Sequence, residues 1–364
     1  MTSNFHRATR RVPANAASIE AAGLCLRAGG LVAMPTETVY GLAGDGTSDR
    51  AVAAIYAAKG RPVFNPLIAH FADPGEAERE ARLDGNARKL ARAFWPGPLT
   101  LVAPVSATCR VSLLARAGLD TLGLRVPAHE TARALIAAAG VPLVAPSANR
   151  SGRVSATRPE HVAADLDGRI DWILDDGPTA LGLESTIVAC LGGAPRLLRP
   201  GALARERIEA ELGLPLTDAA LPGSDGAPLA PGLLTSHYAP RAHMRLEATH
   251  ASPLEAVLDF GGALAQAVGR VRLDLSPRAD LEEAAANLFA HLRTLDASDA
   301  ATIACGAPQL RGPESSRALR SPAPTRSGPR FQCAPRACAS SPIPRRRSDA
   351  PPSWRPSRLW SRPF

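Results

Sequence analysis

Lysine, aromatic residues and long apolar runs are scarce in this chain of 364 residues. Only Lys59 and Lys89 are lysines among 42 cationic side chains, and aromatic residues make up 4% of the sequence. The absence of any run of about 18 apolar residues argues against a membrane-spanning helix. With 45% apolar and 21% charged residues the chain can still bury a core, and its length suits two domains.

A disulfide framework is also missing. Cys25, Cys109 and Cys190 are far apart in apolar surroundings, and the spacing of Cys333 and Cys338 is not that of a zinc-binding CxxC pair. We therefore expect buried, reduced thiols and a cytoplasmic protein.

The net charge of +8 is concentrated in one segment. Residues 305–364 contain 12 arginines and two acidic residues, so this segment carries +10 and the rest of the chain −2. Its 12 prolines and 10 serines leave too little apolar area to offset the entropy of ordering, so disorder is predicted. The abrupt change in composition favours translation in a shifted reading frame over an evolved basic arm that binds RNA.

Helical and strand patterns alternate along most of the remaining chain, which is typical of an α/β fold. Residues 49–59 and 159–166 are examples of predicted helices, and residues 99–105 of a predicted strand. Pro, Gly, Ala and Ser interrupt this alternation at a predicted linker. The predicted organisation is a flexible N-terminus (1–16), a first domain (17–216), the linker (217–241), a second domain that is truncated (242–304) and the disordered tail (305–364).

The usual signatures of several enzyme classes are absent. The chain has no GxxxxGK[ST], no GxGxxG after a strand, no HExxH and no GxSxG. If the protein binds a nucleotide, side chains and turns must therefore hold its phosphates.

Four polar clusters do stand at the ends of predicted strands, where α/β sheets commonly bind ligands. Taken singly, each has a simpler explanation: Lys59 and Arg61 can cap a helix, and His70 can be an ordinary buried histidine. Together, Arg125, Arg199 and the Lys59/Arg61 pair join several hydroxyls and amides. That combination suits a polyanion together with a carboxylate, because guanidinium groups bind both.

The clusters resemble, in their order and residues, those of the YrdC-like threonylcarbamoyl-AMP synthases. Residues 17–215 carry the resemblance, through the motifs PTETVYGL, KGRPxxNPLI, LRVP, PSANRSG, ESTIV and LRPG. Residues 231–240 are similar to the linker of the longer, two-domain members, whose loop ending in His-Tyr-Ala-Pro folds over the active site. Thr235 and Ser236 stand where those members carry basic residues.

The resemblance implies a YrdC-like α/β fold: a three-layer twisted mixed sheet with helices on both faces, plus a small Rossmann-like domain that is incomplete here. It also implies that L-threonine, bicarbonate or CO2, and ATP give threonylcarbamoyl-AMP and pyrophosphate. The product would pass to a transferase complex that modifies an adenosine beside the tRNA anticodon. Mg²⁺ would be held mainly by phosphates and water.

The resemblance also implies roles for individual residues. Those near the reacting phosphate would be Lys59, Ser147 and Asn149. Threonine would be held by Thr38, His70, Arg125 and Ser185, with Arg125 on its carboxylate. ATP would be held by Arg61, Asn65, Thr121, Ser147, Ser155, Arg199 and Tyr238. No metal ligand from the protein is assigned.

Two alternatives remain open at this point. One is an RNA-binding module without catalysis. The net charge of −2 on residues 1–304 argues against tight binding to a phosphate backbone. Direct tRNA binding is therefore expected to be weak or absent. The other is a carbamoyl-adenylate-forming transferase of the kind that acts in hydrogenase maturation and contains a related domain. Proteins of that kind add CxxC zinc fingers and an acylphosphatase-like segment, which this sequence lacks.

Overall fold

The computed structural model describes residues 8–218 and 239–306. The helices in these residues are α1 (Ala16–Arg27), α2 (Asp49–Lys59), α3 (Pro74–Glu80), α4 (Gly85–Phe94), α5 (Glu130–Ala139), α6 (Pro159–Leu166), α7 (Arg205–Leu212) and α8 (Leu281–Asp296). The strands are β1 (Arg10–Pro13), β2 (Val32–Met34), β3 (Gly41–Asp45), β4 (Ile68–His70), β5 (Leu99–Pro104), β6 (Thr121–Arg125), β7 (Leu143–Val144), β8 (Trp172–Asp175), β9 (Thr186–Ala189), β10 (Arg196–Arg199), β11 (Thr217–Asp218), β12 (His243–Ala248), β13 (Ala256–Asp259), β14 (Arg272–Asp274) and β15 (Thr302–Gly306).

Local capping groups fix several helix ends. Asn15 forms a reciprocal capping box with Ser18 at the start of α1, and the Ser48 hydroxyl caps α2. At its other end α2 stops because Gly60 adopts a left-handed conformation with φ of 62°. This reversal directs the chain from Lys59 to Arg61, two residues of the predicted site.

The first sheet has the strand order β1-β8-β2-β3-β7-β4-β6-β5-β9-β10-β11. It is mixed: β4 pairs with β6 in parallel, whereas β5 and β6 are antiparallel. The ends of β4 and β6 therefore lie side by side, with His70 opposite Arg125 in register. This pairing places two predicted threonine-binding residues next to each other.

Side chains alternate between the two faces of this sheet, and each face packs against its own layer of helices. Ala33 and Val144 point into the main core, which also takes apolar residues from α2, α4, α6 and α7. Met34 and Leu143 point the other way, into a second core formed with α1 and α5. Helices α1 and α5 pack over β2, β3 and β8, so they cover only part of the sheet face that carries Met34 and Leu143. The predicted three-layer arrangement is confirmed.

The second sheet is small and entirely parallel, with the order β12-β15-β13-β14. Helix α8 packs on it, where Leu292 and Leu295 share one core with Leu258 and Ile303. A parallel sheet covered by a helix agrees with the predicted second α/β unit. None of the described helices has the length and apolar character needed to cross a bilayer.

The structure corrects the prediction at two boundaries. Residues 1–16 were predicted to be flexible, yet Arg10–Pro13 form β1 and pair with β8. The tail was predicted to begin at residue 305, yet Cys305 and Gly306 still belong to β15. The rest of the predicted tail and most of the predicted linker lie outside the described residues, and Thr217–Asp218 at the linker start form β11.

Candidate active site

A cleft on the first sheet gathers side chains that are far apart in the sequence. It lies over β4 and β6, on the face that α1 and α5 cover only in part, and Ile68 forms part of its floor. Seven residues predicted to bind substrates line it: Thr38, Arg61, His70, Arg125, Ser147, Ser185 and Arg199. The structure thus brings guanidinium, imidazole and hydroxyl groups into one site.

Arg125 is held by a buried carboxylate. Its Nη2 donates to Glu37 Oε1 at 2.7 Å, and its Nε donates to the Gly97 carbonyl at 3.4 Å. The two side chains of this ion pair are 5% and 11% exposed. Burial raises the pKa of Glu37, but the charge and hydrogen bond of Arg125 outweigh it, so the pKa lies below its ordinary value. Glu37 therefore stays ionised and orients the guanidinium.

His70, beside Arg125, is a buried neutral imidazole. Its Nδ1 lies 3.1 Å from the Ile68 carbonyl oxygen. Since a carbonyl only accepts hydrogen bonds, Nδ1 carries the proton and Nε2 is the acceptor. Burial and the charge of Arg125 lower the pKa of His70 to about 3. The ring can thus accept a hydrogen bond from an ammonium or hydroxyl group at neutral pH.

A second buried arginine, Arg199, ends β10 on the other side of the cleft. Its Nη1 donates to Glu184, and its Nη2 donates to the Ser185 carbonyl at 2.8 Å and to the Ser185 hydroxyl at 3.2 Å. Glu184 also accepts a hydrogen bond from the Ser155 hydroxyl at 2.7 Å. Ser155 is fully buried and does not line the cleft, so it reaches the site through Glu184.

Gly201, in the LRPG motif, lies against the backbone beside Glu184. A Cβ atom at this position would be 2.4 Å from the Glu184 carbonyl oxygen and 2.6 Å from the Thr186 nitrogen. The Thr186 nitrogen begins β9 and cannot move without displacing that strand, so the position requires glycine.

Arg61 enters the cleft just after the left-handed turn at Gly60. Its Nε donates to the Asn65 carbonyl at 3.3 Å and its Nη2 to the Pro66 carbonyl at 3.1 Å. These carbonyls hold the guanidinium over the start of β4, whereas Arg125 lies at the end of the neighbouring strand. The cleft consequently presents cationic groups along the length of β4.

Lys59, which is predicted to lie near the reacting phosphate, is buried beside the cleft. Its ammonium donates to the backbone carbonyls of Ser147 and Asn149, and the residue is 2% exposed. It does not line the cleft. Burial and the nearby charge of Arg61 lower its pKa to about 7. In this arrangement Lys59 fixes the turn that presents Ser147 to the cleft.

Three predicted ATP or phosphate ligands do not line the cleft, but each has a buried polar atom that is free to accept a hydrogen bond. Asn65 Oδ1, Thr121 Oγ1 and Asn149 Oδ1 have no hydrogen-bond partner among the residues that the structure describes. Burying such atoms costs about 1–3 kcal/mol each when no partner is supplied. Tyr238, the remaining predicted ATP ligand, lies outside the described residues.

Sequence reasoning missed two carboxylates of the site, Glu37 and Glu184. Both occur inside motifs that carried the resemblance, PTETVYGL and ESTIV. The available signal was charge balance: an arginine buried at a strand end needs a counter-charge, and these are the acidic residues of the adjoining motifs.

The described side chains contain no group of three or more His, Cys, Asp or Glu residues that could hold a metal ion. The carboxylate that lines the cleft, Glu184, is bonded to Arg199 and Ser155.

Comparison with known proteins assigns both domains of the chain to one family. Residues 25–201 match the Sua5/YciO/YrdC family model, described as telomere recombination, and residues 203–319 match the model of the threonylcarbamoyl-AMP synthase C-terminal domain. Threonylcarbamoyl-AMP synthase of Bacillus subtilis is 44% identical over 246 residues, which span 66% of this chain and 70% of that protein. The Pyrococcus abyssi protein of the same name is 46% identical over 221 residues, 60% of this chain and 64% of the relative.

The three-dimensional comparison points the same way. The crystal structure of P. abyssi Sua5 complexed with L-threonine matches with a TM-score of 0.71 at 36% identity, and the match covers 82% of this chain and 91% of that one. The chain belongs to the threonylcarbamoyl-AMP synthase family, as its six motifs predicted.

Proposed function

We propose that this chain joins L-threonine, bicarbonate or CO2, and ATP into threonylcarbamoyl-AMP with release of pyrophosphate. Membership of the family supports an ATP-dependent, nucleotidyltransferase-type activity that serves tRNA modification. One observation carries the proposal: Arg61, Arg125 and Arg199 share a single cleft with a neutral histidine and several hydroxyl groups. Such a cleft suits an amino acid and a polyphosphate together.

Threonine would bind at the ends of β4 and β6. Arg125, already oriented by Glu37, would take the carboxylate in a forked pair of hydrogen bonds. Nε2 of His70 would accept a hydrogen bond from the amine or the hydroxyl of the amino acid. Thr38 and Ser185, both buried at the cleft wall, would provide the remaining polar contacts.

ATP would occupy the part of the cleft between Arg61 and Arg199. Both guanidinium groups line the cleft, and both have backbone carbonyl partners that fix their direction. Ser147 lies on the turn anchored by Lys59. Asn65, Thr121, Asn149 and Ser155 would complete this half through small shifts that bring their buried polar atoms to the nucleotide.

The chemistry requires no covalent enzyme intermediate. The uncharged threonine amine attacks CO2, forms a C–N bond and loses a proton, which gives a carbamate. A carbamate oxygen then attacks the α-phosphorus of ATP and the bond to pyrophosphate breaks. Cationic side chains stabilise the negative charge on the phosphate, and the fixed positions of Arg125 and Arg61 bring the reactants together.

Several further partners belong to this proposal. Mg²⁺ would accompany ATP and would be held by phosphate oxygens and water. The product would go to a transferase that modifies tRNA, and the reaction would take place in the cytoplasm. The four cysteines of the described residues are free thiols, which is compatible with a reducing compartment.

The direct test is a pyrophosphate-release assay on the full chain, with ATP and with threonine and bicarbonate supplied or omitted in turn. We expect release that depends on both co-substrates, and threonylcarbamoyl-AMP as the product by mass spectrometry. Release that ignores threonine, or none with all substrates at saturating concentration, would contradict the proposal.

A further inference from the structure

Arg293, on α8 of the second domain, forms an extensive set of hydrogen bonds with the first domain. It donates to the carbonyls of Val154, Ser155 (3.2 Å) and His161 (3.4 Å), and to the Asp165 carboxylate at 2.8 Å. Its side chain is only 14% exposed. One guanidinium thereby holds two successive carbonyls of the segment that follows the PSANRSG motif.

Asp165 also binds two residues just before this segment. It is 1% exposed and accepts hydrogen bonds from the side chain of Arg153 at 2.9 Å and from the backbone nitrogen of Arg150 at 3.4 Å. Arg293 and Arg153 therefore share one carboxylate, but the side-chain hydrogen bonds to the 154 and 155 carbonyls come from Arg293. This difference allows the two arginines to be separated by experiment.

Apolar packing by α8 includes one residue that lines the cleft and a second residue beside a predicted ligand. Val39 and Val154 of the first domain belong to the same core as Phe289 and Leu292 of α8. Val39 itself lines the cleft and follows Thr38 directly, and Val154 precedes Ser155. The second domain thus contacts residues adjacent to predicted ligands of both substrates.

A third contact brings α8 close to the loop before Glu184. A Cβ atom at Gly182, where φ is 65°, would lie 2.2 Å from the Ala286 carbonyl oxygen. The α8 backbone therefore lies directly against this loop. Glu184 accepts the Ser155 hydroxyl bond and pairs with Arg199, so both segments that α8 contacts lead to the same side of the cleft.

We propose that Arg293 is a positioning residue for ATP binding. It acts through the carbonyls of residues 154 and 155, which set the place of the Ser155 hydroxyl and, through Glu184, of the Arg199 guanidinium. The proposal rests on the proposed function for the identity of the nucleotide. It gives the second domain a part in the reaction even though, of the described residues, none from that domain lines the cleft.

The test compares Arg293→Ala, Arg293→Lys and Arg153→Ala in the full chain. ATP affinity is measured by calorimetric titration and KM and kcat by pyrophosphate release. Loss of Arg293 should weaken ATP binding and raise its KM about 10- to 100-fold, as expected when a remote change misplaces a binding group, with a smaller change in kcat and in the KM for threonine. Lysine keeps the charge beside Asp165 but cannot span three carbonyls, so it should restore ATP binding only in part. Arg153→Ala should stay close to the wild-type protein.

Each result decides the matter. An unchanged ATP affinity in folded Arg293→Ala, or an equal loss in Arg153→Ala, overturns the proposal. If Arg293→Ala does not fold, the ATP affinity of Arg293→Lys provides the test. A wild-type ATP affinity in Arg293→Lys would then contradict the proposal. Calorimetry measures ATP binding without turnover, so the role of Arg293 can be tested even in an inactive protein. A wild-type chain that binds ATP but releases no pyrophosphate would contradict the proposed function alone.

Discussion

The two sheets use arginine differently at their strand ends. In the second domain Arg272 donates to Asp259 Oδ2 at 2.7 Å, while Asp259 Oδ1 accepts from the backbone nitrogens of Phe260 and Leu264. Asp259 is fully buried, and both of its oxygens have partners. This network is complete within the protein, so it stabilises the fold and leaves nothing for a ligand.

In the first domain the corresponding networks are incomplete. Arg125 and Arg199 each have a carboxylate partner, yet Glu37 Oε2 beside Arg125 finds no partner within the described part of the chain, and neither do Asn65 Oδ1 and Asn149 Oδ1 in other motifs of this domain. Unsatisfied buried polar atoms reduce stability. The difference teaches that the first domain accepts a cost in stability at residues beside the cleft and keeps their buried polar groups available, as functional sites commonly do.

Among the variants that test this comparison, Arg125→Ala should have the largest effect on stability. It leaves the Glu37 carboxylate buried without its counter-charge, and removing one partner of a buried pair costs about 3–5 kcal/mol. We expect a loss of that size in the free energy of unfolding, measured by urea denaturation, together with loss of threonine-dependent pyrophosphate release.

The double variant Arg125→Ala/Glu37→Gln provides the control. Since it removes the stranded charge, most of the stability should return while activity stays low. Recovery of activity along with stability would show that Arg125 serves the fold and not the substrate.

Arg61→Ala sharpens the comparison on the ATP side. Removing a charged hydrogen bond to phosphate should cost about 1.5–3 kcal/mol, seen as a higher KM for ATP. The exposed Arg88 on α4 does not line the cleft, so Arg88→Ala is the matched control for loss of one positive charge. Pyrophosphate release by Arg61→Ala at the unmutated rate would remove Arg61 from the site.

The pH dependence of stability tests the buried histidine of the cleft. The pKa of His70 is about 3 in the folded protein, below the ordinary value of 6.5, because of burial and then Arg125. Between these values only the unfolded state binds the proton, so stability should fall as pH drops from about 6.5 toward 3. The slope from this group is at most about 1.4 kcal/mol per pH unit.

His70→Gln should flatten that slope, because glutamine does not titrate. The measurement is urea unfolding of the variant and of the wild-type protein at a series of pH values. Identical slopes would mean that His70 is protonated in the folded protein over the same range as in the unfolded chain.

The smallest effect is expected at a partly exposed pair of the second domain. Arg245 donates to Glu255 at 2.7 Å, and the arginine is 34% exposed. Arg245→Ala should change the free energy of unfolding only slightly, because exposed ion pairs contribute little, and it should leave the KM for ATP unchanged. Thermal unfolding and the pyrophosphate assay would check both values, and a raised KM would show that the second domain influences the cleft through more than α8.

Local signals made much of this fold predictable. Asp49–Lys59 and Pro159–Leu166 are helices with the predicted bounds. In α2 the start is set by the Ser48 cap and the end by Gly60, both readable from sequence. The gathering of Arg125 and Arg199 was also foreseeable, because polar motifs followed the strands that carry them.

What escaped prediction depends on distant partners. Arg10–Pro13 contains two arginines and a proline and looks unlike a strand, but pairing with β8 makes it one. Glu37 lies 88 residues before Arg125, and the contact between them is set by the sheet, not by spacing. Arg293 meets the first domain through the packing of α8, for which the local sequence has no pattern.

The burial of Lys59 has a practical consequence. The chain has just two lysines, and the other, Lys89, is exposed on α4 and is not among the residues lining the cleft. Amine-directed reagents should therefore attach a fluorophore or a surface tether at Lys89 in preference to Lys59. Such a conjugate would leave the cleft accessible, so the enzyme could be immobilised or followed by fluorescence with its substrates free to enter.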